Sequence, residues 1–153
     1  GVQTCALPIS RISLMLPRYC CVILQCPERG FLLEQRPPTT RHAGGSVTCF
    51  GGGREGAETE EACAVRELRE ELGWTVGQLS RRAELYVGGR WIATFFSALP
   101  PERCDALSPE AGHSAMWVQP GALGATPLSQ WHRAVLDAHI AGGPGVLRVV
   151  IET

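Results

Sequence analysis

Residues 52–74 read GGREGAETEEACAVRELREELGW, and three carboxylates, Glu67, Glu70 and Glu71, fall within five consecutive positions of that stretch. Its spacing predicts a helix from about Glu60 to Leu72, ended by Gly73, a residue suited to a left-handed C′ position. Glu60 and Glu61 then lie in the first turn, where the helix dipole favours acids. At roughly 100° per residue, Val65, Leu68 and Leu72 share one face, and the three acids share another roughly 140° away. The apolar stripe would meet a core while the acids face a cleft or solvent. Glu67 is an (i, i+3) and (i, i+4) neighbour of the other two, so the three repel one another. Glu70 and Glu71 also sit near the helix C-terminus, where the dipole disfavours anions. A solvated face neutralised by Arg66 and Arg69 is one way to hold such a cluster. The flanking glycines favour the other, a cation held by hard oxygen ligands, which suits Mg²⁺ or Mn²⁺. Such an ion binds phosphates and activates water.

Outward from this stretch, 153 residues suffice for one domain with a core. Lys and Arg number 14 against 15 Asp and Glu, with no block of one sign, which argues against nucleic-acid binding by a basic surface. No apolar run approaches the roughly 20 residues of a membrane helix. The cysteines form no CxxC pair and no Cys/His group at zinc spacing. Most read as small apolar fillers in a reducing cytoplasm, with Cys63 placed on the polar side of the helix. Residues 1–14 are set apart as an artefactual or disordered segment, because residues 1–10 resemble a translated sequencing adaptor; residues 15–153 form the single domain.

Strands are expected at Tyr19 to Gln25, Phe31 to Arg36, Val47 to Phe50, Arg82 to Val87, Trp91 to Leu99 and Ala115 to Val118, with a last one at Val146 to Ile151. A second amphipathic helix is expected from Ser129 to Ile140, with Trp131, Val135, Leu136 and Ile140 inward. Strands mixed with two helices give an α/β (α+β) layered domain built on a mixed sheet.

The frame of Gly52, Glu58, Arg66-Glu67-Leu68, Glu70-Glu71 and Gly73-Trp74 resembles the signature of the Nudix hydrolase family (MutT-like enzymes), with all nine specified positions filled. The resemblance covers roughly Tyr19 to Ala141 and implies an α/β/α sandwich. It implies hydrolysis of a diphosphate bond in a nucleoside diphosphate linked to some group X, by water attack at phosphorus. By the same resemblance Glu70 and Glu71 are the principal Mg²⁺ ligands and the Gly51 carbonyl is another. Glu67 binds metal or orients or deprotonates the water. Arg66 holds Glu67, Glu58 braces Arg66, and Gly52 and Gly73 have backbone roles. Some family members carry a further glutamate before a later-strand tryptophan; here Met116 precedes Trp117. Glu110 is the candidate for that extra acid, with Glu102 and Asp105 behind it.

Substrate markers known for family subgroups are missing, which favours a (d)NTP or an oxidised nucleotide. An NDP-sugar or ADP-ribose pyrophosphatase, or a non-catalytic nucleotide-binding sensor, are the alternatives. An isopentenyl diphosphate isomerase is disfavoured, because Gly51 stands where its cysteine is needed. Arg36 and Trp91 are candidate substrate contacts, whereas His113 and His132 read as surface or structural residues. The partner expected is a nucleotide-type small molecule, with no nucleic acid and no membrane; a homodimer is left open.

Overall fold

In a computed structural model, the structure describes residues 16–41, 43–101 and 114–153. It comprises strands β1 (Tyr19–Cys26), β2 (Gly30–Gln35), β3 (Val47–Thr48) and β4 (Phe50–Gly53), then helix α1 (Glu60–Leu72). The hairpin strands β5 (Ser80–Val87) and β6 (Arg90–Ala98) follow, then β7 (Ser114–Val118), a 3₁₀ turn (Pro120–Ala125), α2 (Gln130–Ala141) and β8 (Leu147–Ile151). The sheet runs β3-β2-β1-β6-β5-β8, with β4 also on β1 and β7 also on β2. Parallel pairs β1–β6 and β5–β8 among antiparallel ones make it mixed, as the sequence implies.

Strand β1 organises the layers. Its alternation sends Cys20, Val22 and Leu24 into a core with Leu68 and Leu72 of α1. Cys21 and Ile23 point the other way, into a core with Val135 and Leu136 of α2. The sheet is therefore covered by one helix on each face. One edge of β1 is split: Leu24 to Cys26 pair with β2, whereas Tyr19 to Val22 pair with β4. This fork leads β4 away from β2 and delivers Gly51-Gly52-Gly53 to the start of the loop into α1.

Helix α1 starts where Thr59 Oγ1 accepts the Ala62 N–H at 3.1 Å. It stops at Gly73, left-handed at φ 60°, whose N–H donates to Arg69 O at 2.9 Å. Helix α2 starts at the cap Ser129.

Several expectations are corrected. Cys63 is fully buried rather than partly exposed, because α1 turns that side onto Cys20 of β1. Ile140 is 48% exposed rather than inward; in the last turn it is His139 that meets the sheet, bonded to Arg82 of β5 and Gln25 of β1. The expected strand through Phe50 is interrupted at Cys49, whose N–H bonds a side chain of α2 instead of a neighbouring strand. The C-terminal residues add β8 as an edge strand parallel to β5. Glu60, the expected first-turn acid, is buried: Thr94 Oγ1 donates to its carboxylate, and Arg81 pairs with it at 3.1 Å. No helix among the described residues is long and apolar enough to cross a membrane.

Candidate active site

The acid face of α1 lies against the glycines of β4. The Gly51 N–H donates to Glu71 Oε2 at 3.2 Å. Gly52 lies under Glu67 so closely that a Cβ there would stand 2.5 Å from Oε1. At Gly51, φ is 144° and a Cβ would meet Cys20 O at 2.4 Å, so only glycine fits between β1 and the acids.

Arg66 ties the acids together. Its Nε donates to Glu58 Oε2 at 3.1 Å and its Nη2 to Glu58 Oε1 at 2.7 Å, a two-pronged pairing. Nη1 donates to Glu67 Oε1 at 3.0 Å and Glu70 Oε2 at 3.2 Å, and Nη2 also reaches Gly53 O at 2.9 Å. Glu58 is locked from the other side by the Glu55 N–H at 2.8 Å. These bonds favour its charged form, with the Arg66 contact foremost, and lower its pKa to about 2. The same ion pairs hold Arg66 firmly in its charged form.

Glu71 has the opposite environment. Burial first, then the negative charges of Glu34 and Glu67, push its carboxyl up to about 9 against the relief from the Gly51 N–H. Burial likewise raises Glu67, opposed by Arg66. Glu70 is the exposed member, its side chain 53% accessible. Among the described residues, no three His, Cys, Asp or Glu side chains are arranged to enclose an ion, because Arg66 draws Glu67 and Glu70 to itself. The donor set nevertheless fits a hard divalent cation: three carboxylates stand on neighbouring turns of one helix, and Glu71 is a half-buried acid set against the negative charges of Glu34 and Glu67, which Arg36 only partly relieves.

The other side of the glycine strand walls a cavity of about 360 Å³. Gly51, Gly52 and Gly53 line it together with Tyr19, Arg36, Phe95, Trp131 and His132. Arg36 is thus placed at the cavity, 4.0 Å from Glu34. Trp91 does not line the cavity: it stacks on Tyr86 with centroids 6.4 Å apart, beside the β5–β6 turn. Glu110, Glu102, Asp105 and His113 lie outside the described residues. Met116 packs towards the α2 core and leaves no acid at that point of β7. A larger cavity, about 710 Å³, is not lined by the glycines of β4; it opens between Trp74, Val76, Leu99 and His139.

Two residues escaped the sequence reading. Glu34 is 1% exposed and adds negative charge against Glu71. It stands in the sheet between Thr48 of β3 and Ala115 of β7. His132, read as a surface or structural residue, is half-buried and lines the cavity.

The Gly52 geometry predicts a separable effect. In Gly52→Ala the new methyl displaces the Glu67 carboxylate, which is the movable end of a side chain. Activity is expected to fall about 100-fold, as when a reacting group is misplaced by an ångström. Thermal stability, followed by circular dichroism, should change by less than about 1 kcal/mol. A loss of both together would mean that Gly52 serves the fold alone.

The NUDIX domain profile matches residues 15–139. No curated protein matched the chain. Among solved structures, the MutT protein of Bacillus halodurans superposes with a TM-score of 0.66 at 18% identity, covering 90% of each chain. A structure from work on MutT of Aliivibrio salmonicida and Vibrio cholerae gives 0.67 at 22% identity, over 81% of this chain and 96% of the other. The solution structure of the E. coli ORF135 protein gives 0.57 at 30% identity, over 80% and 87%. With the complete signature, the layered fold shared with MutT structures and a profile match over most of its length, the chain belongs to the Nudix family.

Proposed function

We propose that the enzyme is a Mg²⁺-dependent nucleotide pyrophosphohydrolase acting on a (d)NTP or an oxidised nucleotide. The observation that carries this reading is the shared glycine wall. The strand that receives Glu71 on one side bounds a nucleoside-sized cavity on the other. A nucleoside in the cavity would extend its phosphates past Gly51–Gly53 towards the acids.

When bound, a divalent cation neutralises charge on phosphate oxygens and makes water more acidic. Glu70, Glu71 and the Gly51 carbonyl would hold it. Glu67 would orient or deprotonate the attacking water, and Arg66 fixes Glu67 in place. Arg36, in the cavity wall, would meet phosphate or base. The free cysteines among the described residues suit a reducing compartment such as the cytoplasm.

The test is a panel of dNTPs, NTPs, oxidised dNTPs, ADP-ribose and nucleotide sugars, assayed with and without Mg²⁺. Metal-dependent release of a nucleoside monophosphate from a triphosphate is expected to exceed all other turnover. Tight nucleotide binding with no hydrolysis across the panel would instead make the chain a sensor.

Stability should report the same site. Glu71 has a folded pKa raised above its unfolded value of 4.5 to about 9. Its favourable contribution is therefore complete below pH 4.5 and disappears as pH rises towards 9 in metal-free protein. Mg²⁺ offsets the buried charge, so the Tm gain on adding Mg²⁺ should grow with pH through that window. Glu58 works in the other direction: its contribution is present above pH 4.5 and lost as pH falls towards 2. A Mg²⁺-induced Tm gain independent of pH between 5 and 9, on the order of the window those shifts define, would contradict the assignment of Glu71.

A further inference from the structure

His132 stands in the first turn of α2, with its ring against the cavity. The ring meets Phe95 edge-on, centroids 5.2 Å apart. The Cys49 backbone N–H donates to its Nδ1 at 3.0 Å. This bond fixes the tautomer: Nδ1 is the acceptor, so a neutral ring carries its proton on Nε2. Burial keeps the ring neutral, with its pKa lowered to about 3. The bond also accounts for the gap between β3 and β4, since the Cys49 N–H is spent on His132 rather than on a strand. The fold thus gives up a strand position and holds one imidazole in one orientation at a cavity wall. Tyr19, Phe95 and Trp131 supply the flat apolar surfaces around it.

We infer that His132 is a specificity-determining residue: its Nε2–H donates to an acceptor, a carbonyl oxygen or an unprotonated ring nitrogen, on the edge of a nucleobase held in this cavity. The inference rests on the cavity taking a nucleotide. A half-enclosed donor rejects bases that present a donor or a hydrogen at that point, because both groups are then left without a partner. The residue reads the base and takes no part in the reaction at phosphorus.

Two substitutions separate this role from a structural one. His132→Asn keeps an acceptor near Nδ1, for the Cys49 N–H, and removes the Nε2 donor. His132→Gln keeps a donor near Nε2 and removes the acceptor for Cys49. Calorimetric titration of all three proteins, without metal, would use the four common nucleoside 5′-monophosphates and ribose 5-phosphate as a base-free probe. Wild-type protein should prefer one base. His132→Asn should lose about tenfold in affinity for that nucleotide and leave ribose 5-phosphate unchanged. His132→Gln should keep the preference within about threefold. In wild-type protein, the ¹⁵N–¹H signal of His132 Nε2 should shift on binding the preferred monophosphate, a readout independent of how either variant folds. Wild-type selectivity retained in His132→Asn, or an Nε2 signal that ignores the nucleotide, would overturn the inference. Selective binding without hydrolysis would overturn the proposed reaction and leave the role of His132 standing.

Discussion

Glu71→Gln is expected to lower kcat by about 1,000-fold or more while raising the thermal stability of the metal-free protein. Both effects have one origin. Burial and the charges of Glu34 and Glu67 make the Glu71 carboxylate costly to ionise, and the Gly51 N–H at 3.2 Å offsets only part of that cost. A neutral amide of the same shape removes the cost and can still accept from Gly51. It is a poor ligand for a hard cation, so the charge stabilisation of the phosphate oxygens is lost with it. Steady-state hydrolysis and thermal melting, run on one preparation, test both halves. Near-normal turnover in Glu71→Gln and in Glu70→Gln would remove the basis for a metal site on α1.

Arg66→Ala carries the second large effect. Arg66 donates to Glu58, Glu67, Glu70 and the Gly53 carbonyl, so its loss frees the two acids it holds from α1 and strands Glu58. The expected cost is roughly 2–3 kcal/mol of stability, the loss of several charge-assisted hydrogen bonds at a partly shielded site. kcat should fall about 100-fold because Glu67 is no longer held in place. Arg66→Lys keeps the charge but not the two-pronged grip on Glu58, and should recover stability better than rate. The Glu58 carboxyl, held at about 2 mainly by Arg66, should titrate higher in Arg66→Ala when followed by carboxyl NMR. An unchanged Glu58 titration would mean that Arg66 is not its main partner.

Local signals made much of this readable in the sequence. The end of α1 follows from Gly73, and its core face from Leu68 and Leu72. β1, β2 and the β5–β6 hairpin follow from apolar runs and glycine turns. The acids and Arg66 were legible because they lie on one helix. What escaped depends on chain crossings. Glu34 looks like an ordinary alternating residue until β3 pairs beside it. His132 has no spacing signal, because its partner Cys49 lies 83 residues away. The stacking of Trp91 on Tyr86 joins the two strands of the hairpin and has no signature in the alternation of either strand. Cys63 was misjudged because the helix face was assigned from charge, before the depth of its contact with β1 was known.

The most direct test is Mn²⁺ binding, followed by electron paramagnetic resonance with proton release measured in two buffers. Wild-type protein is expected to bind the ion and release protons, because Glu71 must ionise to take part. Glu71→Gln should bind at least about 100-fold more weakly and release fewer protons. Equal affinity and equal proton release in the two proteins would contradict the claim that the acids of α1 form a metal-binding face.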